Sequence, residues 1–295
     1  MEIWDARIRR WIEELDRGLP PERAEIGTRP VLDAWYDGGL PACSLDRRAL
    51  PEPWVGDPRA ADLAAVILGL NPGVSLPAQL HPGGELVERV RRRGWSAVAA
   101  KWELPRETKA WWAERAAWPA RLTGLPPVVE SIVGMDLVPW HSVRFGRLLL
   151  HDRQVGPAAV QWLREEVFRR AVAIGARSRL SRLHPCERRR PVILALADGV
   201  RGALEHVGWS RLVRLDRTNG PSRYPTWPVD DRGEREDRTF TVLLQPEAPW
   251  TVALVSDSGD DSLAPPGPAF DGLVLRLLRE HGCPCAAAHL VTRAG

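Results

Sequence analysis

The stretch Ala64-Ala65-Val66-Ile67-Leu68-Gly69-Leu70-Asn71-Pro72-Gly73 decides the fold class of this 295-residue chain. Its first seven residues form an unbroken apolar run with β-branched members, which is typical of a parallel strand covered on both faces. The run ends abruptly at Asn71, where a proline and a glycine follow. We therefore expect a central parallel strand that leads into a tight polar turn.

Strand-like and helical patterns alternate along most of the remaining chain. Two further apolar runs resemble the first, and the segment between them has the spacing of an amphipathic crossover helix. This βαβ order predicts an α/β fold with three layers, α/β/α, around a central, mostly parallel sheet of four or more strands. The expected helices are 3–15, 156–174, 200–207 and 270–280, and the expected strands are 64–70, 131–138, 191–196, 212–215, 240–244 and 250–255.

The length and the apolar fraction of 44% are those of an ordinary globular protein. We expect a single domain over residues 1–295, with an inserted Trp-rich helical lobe at 74–130 and a tail at 282–295. No apolar run approaches the roughly 18 to 20 residues that span a bilayer, and the first residues are charged and amphipathic. The sequence thus predicts a cytoplasmic protein without membrane association or an obligatory protein partner.

Charged and sulfur-containing residues narrow the function further. The four cysteines lack paired C-x-x-C spacing, so neither a disulfide framework nor a metal or other cofactor is expected. The net charge of +3 is mild, but arginines cluster at 91–93, 188–190 and 211–217. Such clusters either follow a phosphate backbone or form a solvated surface. Most of the 14 tryptophans should be core residues, and a few would suit stacking on unpaired bases.

Polar turns follow the expected strands at 71–73, 136–142, 197–199 and 217–222. In an open parallel sheet, functional groups collect outside the carboxyl ends of the strands, so these turns should face one crevice. Asn71 is the leading catalytic candidate, because an amide oxygen held between a strand and a proline can orient a water for attack. An ordinary Asn-Pro-Gly turn is the structural alternative.

The segment Gly69-Leu70-Asn71-Pro72-Gly73 resembles the first active-site motif of the mismatch-specific branch of the uracil-DNA glycosylase superfamily. Residues 51–56, Pro-Glu-Pro-Trp-Val-Gly, are similar to a segment that precedes the first strand in less-studied members. The resemblance implies a uracil-DNA glycosylase-like fold in which Asn71 positions the hydrolytic water. The implied substrate-binding residues of this motif are Gly69, Leu70, Pro72 and Gly73.

A second resemblance lies in Asp136-Leu137-Val138-Pro139-Trp140-His141-Ser142, which is similar to the turn where relatives place a base-reading residue, often an asparagine. Asp136 departs from that pattern. A carboxylate only accepts hydrogen bonds, so it suits the exocyclic amine of cytosine better than the O4 of uracil. A helix cap or an ion pair is the alternative for Asp136. His141 is a candidate donor to the base or a packed structural residue. Trp140 and Ser142 are expected to bind substrate.

The superfamily's last motif contributes a His or Asn from a loop that enters the minor groove. Thr218-Asn219-Gly220-Pro221-Ser222 resembles its Asn-Pro-Ser form, which makes Asn219 a catalytic candidate and Ser222 a substrate-binding one. The segment Val255-Ser256-Asp257-Ser258-Gly259 is the alternative. Neither segment contains the standard His-Pro-Ser triplet.

The resemblance implies an enzyme, a DNA glycosylase that flips a base out of DNA and hydrolyses its N-glycosidic bond without a cofactor. Asp136 and the Trp-rich insertion favour a modified cytosine of phage DNA, and hence a role in antiviral defence. A uracil or mismatched-thymine repair glycosylase and a non-catalytic DNA-binding module of the same fold are the alternatives. A small-molecule hydrolase is disfavoured, because the chain has no Gly-x-Ser-x-Gly or phosphate-loop motif.

Overall fold

The structure is a computed structural model that describes most of the chain. The described residues are 2–21, 23–24, 43–60, 63–70, 72, 77–145, 150–151, 153, 156–175, 192–195, 198–229, 232–235, 237–245, 252–257 and 267–281. Asn71, Gly73 and Ser258, the arginines at 188–190 and the expected tail at 282–295 lie outside this set.

Helices and strands alternate as the sequence predicts, and each expected helix and strand is confirmed to within a few residues. A π-helical turn at Leu163–Phe168 joins the two halves of the crossover helix, and short 3₁₀ turns lie at Val129–Ser131 and Pro268–Phe270. The helices are α1 (Glu2–Asp16), α2 (Pro77–Leu80), α3 (Glu85–Arg93), α4 (Trp95–Ala100), α5 (Arg106–Thr123), α6 (Gly156–Trp162), α7 (Arg169–Gly175), α8 (Asp198–His206), α9 (Gly220–Arg223) and α10 (Asp271–His281); the strands are β1 (Cys43–Leu45), β2 (Ala65–Gly69), β3 (Ile132–Asp136), β4 (Ser142–Phe145), β5 (Val192–Ala195), β6 (Ser210–Leu215), β7 (Thr239–Leu244) and β8 (Val252–Asp257).

A six-stranded sheet with the order β3-β2-β5-β8-β7-β6 forms the centre of the protein. The first four strands are parallel, whereas β7 and β6 continue the sheet as antiparallel neighbours. The α/β class and the mostly parallel sheet are thereby confirmed. Among the parallel strands, the chain first moves from β2 outward to β3 and then returns to the other side of β2. The topological switch point, where α/β sheets bind ligands, therefore lies between β2 and β5.

The Trp-rich segment expected to form an inserted lobe packs directly on this sheet. Trp95, Trp102, Trp112 and Trp118 are all buried in the same apolar core as the strands. The ring of Trp112 lies across Gly134 of β3, where a Cβ would come within 2.5 Å of ring carbons. Every residue of β2 and β3 is buried, so both faces of the sheet are covered there. The tryptophans of this segment serve mainly as core.

The first helix packs against Trp140 and the crossover helix through an aromatic cluster. The rings of Trp4, Trp140 and Trp162 meet with centroid separations of 5.6 to 6.0 Å. Arg7 lies 5.2 Å above the Trp4 ring and pairs with Glu166 at 3.3 Å. This cluster holds α1 and the crossover helix together around one loop of the sheet. Among the described helices, none has the length and apolarity that crossing a membrane requires.

Residues 50–56, named the edge segment here, cover the outer side of β3. Val55 pairs with Gly134 through two backbone hydrogen bonds of 2.9 and 3.0 Å, and the Glu52 N–H donates to Pro139 O at 2.8 Å. The sequence predicts a polar turn at 136–142, and the chain does bend after β3; residues 139–142 are nevertheless all buried, and the last begins β4, which pairs with β1. The edge segment and the aromatic cluster bury them from two sides.

Candidate active site

The carboxyl ends of β2 and β3 bring the first two sequence motifs into contact. Gly69 and Asp136 are register partners, and the pairing continues beyond the strands through Leu137 N to Gly69 O at 3.0 Å and Val138 N to Leu70 O at 3.1 Å. The Asp136 carboxyl group lies against Gly69 so closely that any Cβ there would overlap Oδ1. Residue 69 must therefore be glycine for this carboxyl group to cross the end of β2.

The first motif leaves the sheet at the switch point. Leu70 is half-buried, and its side chain lies 3.4 Å from the position of a Cβ on Gly199, at the start of α8. Asn71 itself lies outside the described residues. It follows Gly69 by two residues in the sequence. Pro72 is half-buried.

A second acidic residue, absent from the sequence-based site, joins this cluster. Glu52 of the edge segment is 2% exposed, and its Oε2 lies 3.8 Å from Nε2 of His141, which is equally buried. Asp136 is 6% exposed. Glu52 Oε1 and Asp136 Oδ1 accept no hydrogen bond from any residue in the described part of the chain. Buried carboxyl oxygens without donors are costly, and they are typical of groups that await a ligand.

Glu52 and Asp136 form the carboxyl pair of this site, and burial raises the pKa of both. Desolvation raises the pKa of Asp136 to about 7, and desolvation together with the Asp136 charge raises the pKa of Glu52 to about 8. At neutral pH, Glu52 is therefore mainly protonated and Asp136 is near its midpoint. A carboxyl group that keeps its proton at neutral pH can donate a hydrogen bond as well as accept one. Strongly shifted carboxyl groups at the end of parallel strands mark a candidate active site.

An aromatic wall with a cation behind it adjoins the carboxyl pair. The ring of Trp111 in α5 lies 3.9 Å from the Cβ position of Gly69 and contacts Trp112 edge-on, with ring centroids 4.5 Å apart. Arg115 stacks on the Trp111 ring with its guanidinium 3.5 Å from the centroid and donates to Trp111 O at 2.9 Å. Arg115 is only 5% exposed, and burial lowers its pKa. The half-buried Trp111 ring is suited to stacking on a flat ligand.

The other residues proposed from the second motif have structural surroundings. Trp140 belongs to the aromatic cluster with α1, and Ser142 pairs with Leu45 in the small sheet. The backbone oxygen of His141 accepts a hydrogen bond of 2.7 Å from Asp46 N. Of this motif, Asp136 and His141 are therefore the residues that the structure brings to the carboxyl cluster.

The two segments proposed for the last motif lie at different distances from the cluster. Asn219 is exposed at the end of β6, where its side chain accepts from Asp216 N at 3.1 Å and donates to Arg214 O at 3.3 Å. Ser222 is also exposed. Since β6 is four strands from β2 and neighbouring strands are about 4.8 Å apart, this turn is roughly 19 Å away along the sheet. Ser256, the alternative, lies on β8, two strands or about 10 Å from β2.

The arginine clusters are largely neutralised where the structure describes them. Ion pairs join Arg91 to Asp16 and Glu88, Arg93 to Glu103, Arg211 to Glu205 and Arg217 to Asp237. These clusters therefore favour the solvated-surface interpretation over a continuous phosphate track.

Glu52 is the functional residue that sequence reasoning missed. A signal was present, because Pro51-Glu52-Pro53-Trp54 places a single carboxyl group in an apolar stretch shortly before a buried strand, and all four residues are buried. In the described part of the chain, no group of three or more His, Cys, Asp or Glu side chains is arranged to hold a metal ion.

The fold and the site define an α/β protein with a buried carboxyl pair and an aromatic wall at the carboxyl ends of β2 and β3. Searches against protein-family models, curated proteins and solved structures found no match.

Proposed function

We propose that the protein is a DNA glycosylase with a uracil-DNA glycosylase-like fold, which flips a base out of DNA and hydrolyses its N-glycosidic bond. The observation that carries this proposal is the contact between Asp136 and Gly69. In this contact, the carboxyl group suited to reading a base lies against Gly69, which belongs to the motif that contains Asn71. The site that the resemblance implies is thus supported by a contact between residues 67 positions apart in the chain.

In this proposal the residues at the carboxyl ends of β2 and β3 have separate roles. Asn71 positions the attacking water against the sugar, and Asp136 binds the edge of the flipped base. Trp111 provides a face on which the base stacks, at a contribution of about 1 to 3 kcal/mol. Extrusion of the base itself costs a few kcal/mol, which favours bases that are already weakly paired.

The substrate proposed is a cytosine derivative, such as a modified cytosine of phage DNA, which would make the protein an antiviral defence enzyme. The reason is chemical: when ionised, Asp136 only accepts hydrogen bonds, and cytosine offers an exocyclic amine where uracil offers an oxygen. A cytosine derivative with a large substituent would also be the most distinct from host DNA.

The test is alkali-revealed strand cleavage of end-labelled DNA that contains uracil, mismatched thymine or a modified cytosine. Wild type should leave abasic sites on the modified-cytosine strand, and Asn71→Ala should leave few or none. Gln161→Ala, which removes an exposed carboxamide on α6, is the matched control and should retain full activity.

The alternatives predict different results in the same assay. Cleavage confined to uracil or mismatched thymine would identify a repair glycosylase. Intact DNA throughout, together with salt-sensitive DNA binding, would refute catalysis and identify a DNA-binding module of the same fold.

A further inference from the structure

Glu52 has no role in the division of work described above, although it is the most thoroughly buried carboxyl group of the site. Its backbone is fixed by the hydrogen bond to Pro139 O, and the adjoining Val55 is paired with Gly134. These main-chain contacts hold the backbone of Glu52 beside the end of β3. A group fixed this firmly, with one oxygen lacking a donor, is suited to a defined chemical task.

Cytosine-type bases present a leaving-group problem that uracil does not. When the N-glycosidic bond breaks, its electron pair goes to the base. Uracil spreads the resulting charge over two carbonyl oxygens, whereas cytosine has one oxygen and an amine. A cytosine derivative therefore departs more readily when a proton reaches its ring nitrogen or its carbonyl oxygen during bond cleavage.

We propose that Glu52 and Asp136 share one proton and act as the general acid that protonates the departing base, with Glu52 as a further catalytic residue. This inference rests on the proposed glycosylase function and deepens it. In this proposal the Asp136 carboxyl group, which lies against Gly69, accepts from the exocyclic amine of the base, and the proton shared with Glu52 passes to the neighbouring ring nitrogen. An amine beside an acceptor nitrogen is the edge that such a pair complements.

The step balances without any further reactant. The C1′–N1 bond breaks, and its electrons pass to the base while the carboxyl pair gives its proton to the ring nitrogen. Water adds through its oxygen to C1′ and releases one proton, which restores the pair. The products are the free base and the abasic sugar.

Burial and neighbours explain why this pair keeps its proton until it is needed. Both side chains are almost inaccessible to solvent, and a second negative charge between them is unfavourable because nearby like charges repel in a desolvated site. Nε2 of the buried His141 lies 3.8 Å from Glu52 Oε2.

The test is a leaving-group series measured under single-turnover conditions. Oligonucleotides containing 5-methylcytosine, cytosine or 5-fluorocytosine share the same amine edge but differ in how readily the base departs. Glu52→Gln should lower the excision rate of 5-methylcytosine by about 100-fold, the lower end of the effect of a positioned general acid. It should lower the rate on 5-fluorocytosine much less, because a better leaving group needs less protonation.

A purely structural role for Glu52 would give a different pattern. Equal losses across the three bases, or no loss, would overturn the general-acid role even if wild type is a glycosylase. Absence of abasic sites with wild type on every DNA tested would refute the glycosylase function, and the acid role with it. Circular dichroism and thermal unfolding check that the Gln variant is folded.

The shared proton can also be measured without turnover. An infrared difference spectrum at pH 6.5 between wild type and Glu52→Gln should show the C=O stretch of a protonated carboxylic acid. If wild type lacks this band while excising the base normally, the pair is ionised and the proposal is wrong.

Discussion

Replacing Glu52 with Gln should change how the stability of the protein depends on pH. The pKa of Glu52 is raised from 4.5 to about 8 in the folded protein, mainly by desolvation. Above pH 4.5 the unfolded chain releases this proton while the folded chain retains it. The contribution of Glu52 to stability is therefore complete below pH 4.5 and is lost progressively as the pH rises to about 8.

The size of the effect follows from the shift. A difference of one pKa unit corresponds to about 1.4 kcal/mol, so wild type should lose about 1.4 kcal/mol per pH unit relative to the Gln variant. Across the whole window the relative loss is on the order of 5 kcal/mol, a large part of the 5 to 15 kcal/mol that stabilises a typical domain. Asp136 is present in both proteins, so the difference between them reports the one proton-binding group that the variant lacks.

The measurement is urea unfolding of wild type and Glu52→Gln between pH 5 and pH 9.5, monitored by tryptophan fluorescence. The difference in the free energy of unfolding should grow in favour of the variant up to pH 8 and then level off. Parallel curves over this range would refute the reasoning, because they would show that the Glu52 carboxyl group has the same affinity for protons in the folded and unfolded protein.

Three glycine substitutions test the packing of the site by thermal or urea unfolding. Gly69→Ala should cost about 1 to 3 kcal/mol and displace the Asp136 carboxyl group, since the new Cβ overlaps it. Gly134→Ala should destabilise by a similar amount, because its Cβ meets the buried Trp112 ring at 2.5 Å. Gly202→Ala is the matched control: its Cβ meets nothing within 4 Å in α8, so it should stabilise by about 0.5 to 1 kcal/mol. Equal effects at the three positions would contradict this account of the packing.

The strands and the crossover helix could be predicted because their signals are local. The apolar run at 64–70 can only be satisfied by burial on both faces, and residues 156–174 carry their periodicity within one segment. The α/β class follows from the order of these elements.

The arrangement of the site depends on contacts between distant segments, so the sequence predicted it only in part. The meeting of the first two motifs was foreseeable, because consecutive parallel strands tend to be neighbours. Glu52 lies in a proline-rich stretch that resembles a surface loop, and its burial follows from the pairing of Val55 with Gly134, about 80 residues away. Asn219 sits in a motif-like turn, but the return of β6 to the far edge of the sheet puts it out of reach.

The two edge strands of the sheet are protected from pairing with other chains in different ways. On the β6 side, Arg211 and Arg214 are exposed on the outermost strand, and charged side chains there discourage another chain from pairing with it. On the β3 side, protection comes from the edge segment that also carries Glu52. Loosening that segment would remove an acid from the site and would leave an apolar strand open to intermolecular β-pairing. Selection for solubility alone would therefore help to preserve the geometry of the carboxyl pair.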